Sequence, residues 1–172
     1  MAGESVKVGA QRYRERFGRY FEDFEVGDTY EHRPGRTISE ADNTWFTLLT
    51  MNKHPVHFDA EYAKHTEFGQ PLVVSTLTLS ILVGMSVSDT SQKAIANLGW
   101  EKIKLPKPVF IGDTLYGEST VLAKRESKSR PDQGIVTIST RGINQRKETV
   151  CEFERTMLVM RRGNALEEKA GY

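Results

Sequence analysis

The stretch PLVVSTLTLSILVGMSVS, residues 71–88, is the most apolar part of the chain and decides the fold. Wound as a helix, it carries apolar side chains on nearly every side, which is typical of a helix buried all round. Ser75 and Thr76 are suited to cap its start, so we predict a helix over about residues 76–88. Its most apolar run, LTLSILVGMSV at residues 77–87, is too short to span a bilayer, so we predict that the helix lies in the core of a soluble protein.

After this helix the sequence changes to the pattern of β-strands. In CEFERTMLVM, residues 151–160, apolar side chains alternate with Glu152, Glu154 and Thr156. This period of two places the two sets on opposite faces of a sheet. The segments 113–123 and 134–144 are similarly rich in β-branched residues. With turn-rich segments between them, these three strands predict an antiparallel meander.

A strand and a capped helix precede the apolar stretch. FEVGDTYEHRPGRTI, residues 24–38, predicts a turn followed by a short strand that Pro34-Gly35 ends. Ser39 with Asp42 three residues later predicts the start of a helix. Its buried face is predicted to carry the apolar residues at i, i+4, i+7 and i+8, namely Ala41, Trp45, Leu48 and Leu49.

HPVH, residues 54–57, follows that helix. The residue before a proline disfavours the α region, so the helix must end before Pro55 and HPVH forms a loop. Asp59 is suited to cap a second short helix that Gly69 closes. One strand, helices and then a meander predict an α+β fold, in which the very hydrophobic helix packs on a curved sheet.

Length and composition restrict the class of protein. A chain of 172 residues favours a single domain. Its 24 Lys and Arg nearly balance 23 Asp and Glu, so it lacks the basic field expected of a general nucleic-acid binder. Cys151, the one cysteine, cannot form an internal disulfide, and the N-terminus lacks the apolar run of a signal peptide. We expect a cytoplasmic protein without nucleic-acid or membrane partners.

Three segments are predicted. Residues 20–162 form the domain, and residues 163–172 form a polar C-terminal tail. Residues 1–19 form a basic and aromatic N-terminal arm, solvated or packed through its aromatic rings on the body or a partner subunit.

The histidines of HPVH could be metal ligands, a catalytic base with a neighbour, or loop residues without a role. Histidine pairs that bind metals usually lie at i, i+4 on a helix or among cysteines. His54 and His57 instead lie on either side of a proline in a loop without a nearby cysteine. Asp59 could be a third ligand, but the spacing does not match these patterns, so no metal is predicted.

The other candidate residues are less suited to a catalytic role. Cys151 lies in the apolar phase of its strand and is predicted to be a small buried hydrophobe. Ser75 and Ser80 lack the G-x-S-x-G setting of a hydrolase nucleophile. His32 and His65 fall on predicted surface elements.

Residues 35–80, GRTISEADNTWFTLLTMNKHPVHFDAEYAKHTEFGQPLVVSTLTLS, resemble the hydratase motif of the MaoC-like, R-specific enoyl-CoA hydratases. That motif is D-x-N-P-x-H-x-D, a short helix, P-x-V-H-G and a long buried helix. FEDFEVGDTYEH and LPKPVFIGDTLYGESTVL agree with the family's opening strand and its later P-V-x-x-G-D-T-L strand. The resemblance covers about residues 20–160. It implies a single hot-dog domain, a curved antiparallel sheet wrapped around the central helix.

The resemblance also implies an acyl-CoA thioester substrate, no separate cofactor, and a homodimer or higher homo-oligomer. The family's catalytic histidine falls on His57, and the glycine whose backbone N–H polarises the thioester carbonyl falls on Ser75. The family's aspartate falls on Asn52, whose amide can orient water or the acyl group but cannot exchange a proton near neutral pH. His54 occupies the asparagine position, and Val74 replaces the histidine before the glycine.

These departures resemble the branch of the family that acts on short, branched or dicarboxylic acyl-CoA esters, such as mesaconyl-CoA or itaconyl-CoA. A second carboxylate needs a cation, and the loop ESKSRPDQG supplies Lys128 and Arg130. The same two residues could instead meet the CoA phosphates or be solvated. Further candidates for substrate contacts are Val74, Thr76, Asn97 and Asn144.

Two alternatives to a hydratase remain open. A hot-dog thioesterase usually places a carboxylate in the active-site loop or on the central helix; residues 75–88 contain none, although Asp59 and Glu67 are nearby in sequence. A non-catalytic acyl-CoA-binding subunit is the second alternative, because Asn52 removes the family's aspartate.

Overall fold

The computed structural model describes residues 4–171, and this part of the chain contains seven strands and four α-helices. The strands are β1 (Glu4–Gly9), β2 (Arg12–Arg16), β3 (Thr29–Thr37), β4 (Ala94–Lys104), β5 (Thr114–Glu126), β6 (Gln133–Asn144) and β7 (Thr149–Met160). The helices are α1 (Glu40–Thr50), α2 (Ala60–Lys64), α3 (Ser75–Met85) and α4 (Ala165–Ala170). Residues 1–3 of the predicted arm and residue 172 of the predicted tail lie outside the described residues.

Five strands form one antiparallel sheet in the order β3-β5-β6-β7-β4, and α3 packs on one of its faces. Leu82 of α3 is fully buried and lies directly over Gly142 of β6. A Cβ added at Gly142 would lie 2.2 Å from the Leu82 side chain, so glycine is what allows the helix to approach the sheet. The predicted α+β hot-dog domain with a buried central helix is confirmed.

The central helix differs from its prediction in two respects. It begins at Ser75 with Val74 as its N-cap and ends at Met85, followed by a π-helical turn at Val87–Ser91. It is also not buried all round, because Thr76, Ser80 and Gly84 form an exposed stripe along it. Hydropathy alone could not reveal this stripe, since small side chains interrupt the apolar pattern only weakly.

Helix α1 has the predicted capping box, in which Ser39 and Asp42 bond each other's backbone N–H groups. The prediction of its buried face is wrong. Ala41, Trp45, Leu48 and Leu49 are exposed, whereas Asn43 and Thr47 are buried. Asn43 faces the body because the backbone beneath the helix offers hydrogen-bonding partners, and Phe46 packs against the core beside it. The predicted apolar face lies outside this protomer's core.

Two strand predictions are also corrected. Pro34-Gly35 does not end β3; the strand continues to Thr37 with a register shift between His32 and Arg36. An edge strand tolerates such a break because one side of it makes no ladder bonds. β4 was not predicted, because three register shifts along its pairing with β7 break the period-two pattern.

The predicted N-terminal arm contains a β1–β2 hairpin that forms its own two-stranded sheet. Tyr13 and Phe17 are exposed, while the Tyr20 ring lies 4.3 Å from Lys93 Nζ and 5.1 Å from the Arg162 guanidinium. Part of the predicted polar tail forms α4.

The prediction that His32 lies on the surface is wrong. His32 is 1% exposed. Its Nδ1 lies 2.8 Å from Asp89 Oδ2 and its Nε2 lies 2.8 Å from Ser119 Oγ. Burial lowers the pKa of His32, although the hydrogen bond to Asp89 opposes that shift. Because Ser119 is fully buried as well, this Ser-His-Asp chain of contacts belongs to the core and offers no route to a substrate.

Arg155 lies in the same polar part of the core. Burial lowers the pKa of its guanidinium to about 10. Its Nη2 donates to Ser86 Oγ at 3.0 Å and Thr90 Oγ1 at 2.9 Å, just beyond the C-terminal end of α3. A cation is favourable there because the carbonyl end of a helix carries partial negative charge.

The helices of residues 4–171 are all too short or too polar to cross a membrane.

Candidate active site

The HPVH segment forms a single 3₁₀ turn, Pro55–His57, that follows α1 directly. Met51 adopts a left-handed conformation with φ 56° and ends the helix before Pro55, as predicted. Asn52 Oδ1 then accepts a hydrogen bond from His54 N–H at 3.1 Å. These contacts fix the loop and give its side chains defined directions.

His57 is half-buried, and its ring bonds the segment that leads into α3. Nδ1 lies 2.8 Å from the Leu72 carbonyl oxygen. A carbonyl can only accept, so Nδ1 must carry the proton and the neutral ring must present an unprotonated Nε2. This tautomer is the one that a general base requires.

His54 has the opposite tautomer. Its Nδ1 accepts a hydrogen bond from Val56 N–H at 3.2 Å and caps the 3₁₀ turn, so its proton resides on Nε2. The His54 ring is exposed, and its centroid lies 5.9 Å from that of His57. The two histidines therefore offer one acceptor and one donor side by side.

Asn43, which the sequence analysis did not single out, joins this loop to the central helix. It is fully buried, and its Nδ2 donates to the carbonyl oxygens of His57 and Leu72 at 2.8 and 3.2 Å. Its Oδ1 accepts from Val74 N–H at 2.9 Å. The only available signal was the polar i, i+4 pair of Asn43 and Thr47 on α1.

Ser75 and Thr76 are the first residues of α3 and directly follow Val74, whose N–H bonds Asn43. The first intrahelical bonds run from the N–H groups of Leu77 and Thr78 to the Val74 carbonyl, so the N–H groups of Ser75 and Thr76 precede the first intrahelical donors. Both residues are exposed. Val74 is buried and its N–H is used by Asn43, which leaves Ser75 and Thr76 as the backbone donors at this helix N-terminus.

A cavity of about 270 Å³ adjoins Ser75. Phe68, Leu72 and Thr78 line it together with the segment 105–109, which includes Lys107. Ligand pockets for drug-sized molecules span about 300–1,000 Å³. The cavity is therefore slightly smaller than the pocket that usually encloses a drug-sized ligand.

The predicted substrate-binding residues on the second half of the chain do not join this group within the protomer. Lys128 and Arg130 lie on the β5–β6 loop, at the far end of strands whose other ends approach α3. A strand of 13 residues such as β5 spans about 40 Å. Asn97 is exposed on β4, and Asn144 is buried at the end of β6, where its Nδ2 donates to Glu148.

The other candidate groups have local structural roles. Asp59 Oδ1 accepts from Tyr62 N–H and caps α2, as predicted. Cys151 is fully buried, and burial raises the pKa of its thiol to about 11. Within residues 4–171 no three His, Cys, Asp or Glu side chains converge in a metal-binding arrangement.

Comparison with known proteins gives a consistent result. A family model described as mesaconyl-CoA hydratase matches residues 7–171. The chain is similar to the mesaconyl-CoA hydratase of Cereibacter sphaeroides, with 35% identity over 148 residues, which is 86% of this chain and 43% of that protein. The chain spans only 41–43% of the length of the curated mesaconyl-CoA hydratases it matches.

Solved structures agree on the fold. A MaoC-like dehydratase from Rhodospirillum rubrum is 34% identical, with a TM-score of 0.74 over 84% of this chain and 99% of that chain. A conserved protein from Mycobacterium tuberculosis that has a double hot-dog fold is 22% identical, with a TM-score of 0.79 over 86% of this chain and 46% of that chain. The second likeness shows the fold alone.

Proposed function

The chain belongs to the mesaconyl-CoA hydratase family of MaoC-like hot-dog proteins, and from this membership we propose that it adds water to, or removes water from, a 2-enoyl-CoA thioester. The acyl group that we propose is short and branched or dicarboxylic, as in mesaconyl-CoA or itaconyl-CoA. The observation that carries the proposal is the His57 tautomer, because the bond from Nδ1 to Leu72 leaves Nε2 as a base beside the N-terminus of α3.

In the proposed hydration, His57 Nε2 takes a proton from water while the water oxygen bonds the β-carbon. The double-bond electrons move towards the thioester and form an enolate. The imidazolium then returns its proton to the α-carbon, which restores neutral His57 and completes the addition of one water. A single histidine thus performs both transfers, and Asn52 orients water or substrate without exchanging a proton.

The enolate oxygen needs donors that are in place before the reaction. The N–H of Ser75 is the proposed oxyanion donor, with Thr76 beside it at the positive end of the α3 dipole. Removing one such donor in other enzymes costs about 3 kcal/mol of transition-state stabilisation. A backbone N–H imposes no side-chain requirement, so serine can replace the family's glycine.

The proposed assembly is a homodimer, or a higher homo-oligomer, that pairs along β4. β4 is an edge strand, and its Ile95, Leu98, Trp100 and Ile103 are 41–52% exposed. An exposed apolar edge invites pairing with another strand. A second subunit would also supply the surface that an acyl-CoA requires beyond the 270 Å³ cavity. We propose a cytoplasmic location and no cofactor other than the CoA of the substrate.

The function is tested by incubating the protein with crotonyl-CoA, mesaconyl-CoA and itaconyl-CoA while following enoyl-thioester absorbance and free thiol. A hydratase removes absorbance without releasing thiol. His57→Ala should lower the hydration rate by roughly 10²–10⁴-fold, the usual contribution of a general acid/base. His65→Ala, at an exposed histidine of the chain, is the matched control.

Other outcomes would favour the alternatives. Thiol release would indicate a thioesterase. Binding without loss of absorbance or release of thiol would indicate a non-catalytic acyl-CoA-binding subunit. An unchanged hydration rate in His57→Ala would show that the proposed mechanism is wrong.

A further inference from the structure

In a dicarboxylic acyl-CoA, the free carboxylate lies at a fixed position relative to the reacting carbon. This position determines which protein groups can bind it. In a 2-enedioyl thioester with a four-carbon main chain, such as mesaconyl-CoA, the free carboxylate is bonded directly to the β-carbon. The β-carbon is also the atom that receives hydroxide from the water activated by His57. The groups that bind the carboxylate must therefore lie immediately beside His57.

Within this protomer, the cations suggested by the sequence do not meet that requirement. Lys128 and Arg130 lie at the far end of the β5–β6 hairpin from α3. The loop that carries His57 has polar residues of its own, and Asn52, Lys53 and His54 follow one another in it. Lys53 is exposed and adds a positive charge to this loop.

His54 has the properties needed to bind a carboxylate. Because Val56 N–H occupies its Nδ1, the ring must keep its proton on Nε2, where it is a hydrogen-bond donor. The ring is exposed and lies 5.9 Å from the His57 ring, centroid to centroid. A substrate carbon beside His57 Nε2 would thus carry its carboxylate within reach of a donor.

Asn52 favours carboxylate binding because its side chain is uncharged. An aspartate here would place a second negative charge beside the substrate carboxylate, and like charges at close range repel. The amide removes that charge, while its Oδ1 bonds His54 N–H at 3.1 Å and links the two residues. The replacement of aspartate, which is a loss for proton transfer, is favourable for an anionic acyl group.

We infer that the Asn52–His54 segment is the specificity element of this site: His54 Nε2–H binds the carboxylate on the substrate's β-carbon, and Asn52 keeps the surroundings free of negative charge. The inference rests on the proposed function and specifies its substrate class as enoyl-CoA esters with a β-carboxylate. His54 is a specificity-determining residue, whereas His57 performs the proton transfer.

The test compares mesaconyl-CoA with tiglyl-CoA, which has a methyl group where mesaconyl-CoA has the carboxylate. His54→Asn keeps an acceptor near the position of Nδ1 but removes the distal donor, whereas His54→Gln keeps an N–H near the position of Nε2. We expect His54→Asn to lower the ratio of kcat/KM for mesaconyl-CoA over tiglyl-CoA by roughly tenfold to a hundredfold, as for a lost hydrogen bond to a charged group. His54→Gln should restore part of the ratio.

Asn52→Asp provides a second, independent variant. The added carboxylate should lower the same ratio at least as much as His54→Asn, and it should raise KM for mesaconyl-CoA more than KM for tiglyl-CoA. The double variant Lys128→Met/Arg130→Met tests the rival location of the cation. If that double variant lowers the ratio while His54→Asn does not, the inference is overturned.

Binding of saturated analogues separates failure of the inference from failure of the proposed function. Methylsuccinyl-CoA and 2-methylbutanoyl-CoA differ in the same way, carboxylate against methyl, and their affinities can be measured by calorimetry without turnover. If wild type hydrates mesaconyl-CoA but His54→Asn reduces both substrates equally, the inference fails and the hydratase stands. If the wild type hydrates no enoyl-CoA, the proposed function fails. If the wild type also binds the two analogues with equal affinity, the inference is overturned as well.

Discussion

His57 and His54 differ in chemistry because their Nδ1 atoms meet different backbone groups. Nδ1 of His57 faces a carbonyl and must donate, whereas Nδ1 of His54 faces an N–H group and must accept. The sequence could place both residues in a loop after Pro55 was recognised as a helix terminator. It could not assign the tautomers, because Leu72 and Val56 are brought to the rings only by folding.

The buried His32 predicts a dependence of stability on pH. Burial lowers its pKa in the folded protein below the ordinary value of 6.5, so the unfolded chain binds more protons below about pH 6.5. The stability contributed by neutral His32 is thus fully present above pH 6.5 and is lost as pH falls through the folded-state pKa. The urea concentration at the unfolding midpoint should therefore decrease as the pH is lowered from 7.5 to 5.

Two observations check the assignment to His32. NMR titration of its ring should give a pKa below 6.5, and His32→Gln should flatten the pH dependence relative to the matched variant His65→Gln. A free energy of unfolding that increases as pH falls from 7.5 to 5 would contradict the prediction.

At the scale of elements, α1 shows that the sequence pattern predicts a helix cap but not the face that the helix buries. Its N-terminal capping box follows from Ser39 and Asp42, which act locally, and it was predicted. Its buried face depends on what lies beneath it, and Asn43 satisfies two carbonyls and one N–H there. Buried polar backbone groups must be paired, so this requirement overrides the apolar pattern. The edge strand β4 was missed for a related reason, because its bulges are set by pairing with β7.

The close approach of α3 to β6 at Gly142 is testable by substitution. In Gly142→Ala the new Cβ would lie 2.2 Å and 2.8 Å from the Cδ atoms of Leu82. Overpacking of this kind typically costs about 1–3 kcal/mol of unfolding free energy, which chemical denaturation can measure.

Gly84→Ala is the matched control, because a Cβ there meets nothing within 4 Å and alanine favours the helix by up to about 1 kcal/mol. Adding Leu82→Val to Gly142→Ala should recover part of the loss. Full stability of Gly142→Ala alone would contradict the close approach.

At the scale of the whole molecule, the β4 edge predicts the oligomeric state. Leu98 is 52% exposed on β4, and Leu98→Lys should convert the proposed dimer to a monomer, because a buried ammonium without a partner is costly. Light scattering coupled to size-exclusion chromatography would measure the mass.

Leu122→Lys is the control for this prediction. Leu122 is 42% exposed but lies on β5, an inner strand of the sheet, so its substitution should leave the mass unchanged. Loss of the dimer in Leu122→Lys but not in Leu98→Lys would place the interface elsewhere.

Prediction at this scale succeeded where the evidence was local and failed where it was not. The three meander strands were visible from their alternating or β-branched residues, and the central helix was visible from its nearly continuous apolar run. Two long strands joined by one loop place Lys128 and Arg130 far from the strand ends that approach α3. The fold could be predicted from the chain, whereas the neighbours of His57 required the assembled structure.

The central helix is held at both of its ends by other elements. Asn43 of α1 holds Val74 N–H before its first turn, and Arg155 of β7 holds Ser86 and Thr90 after its last turn. An 11-residue helix is about 16 Å long, so these two attachments prevent it from sliding along its own axis over the sheet. The distance between the Ser75 amide and the His57 ring is therefore governed partly by a guanidinium at the opposite end of the helix.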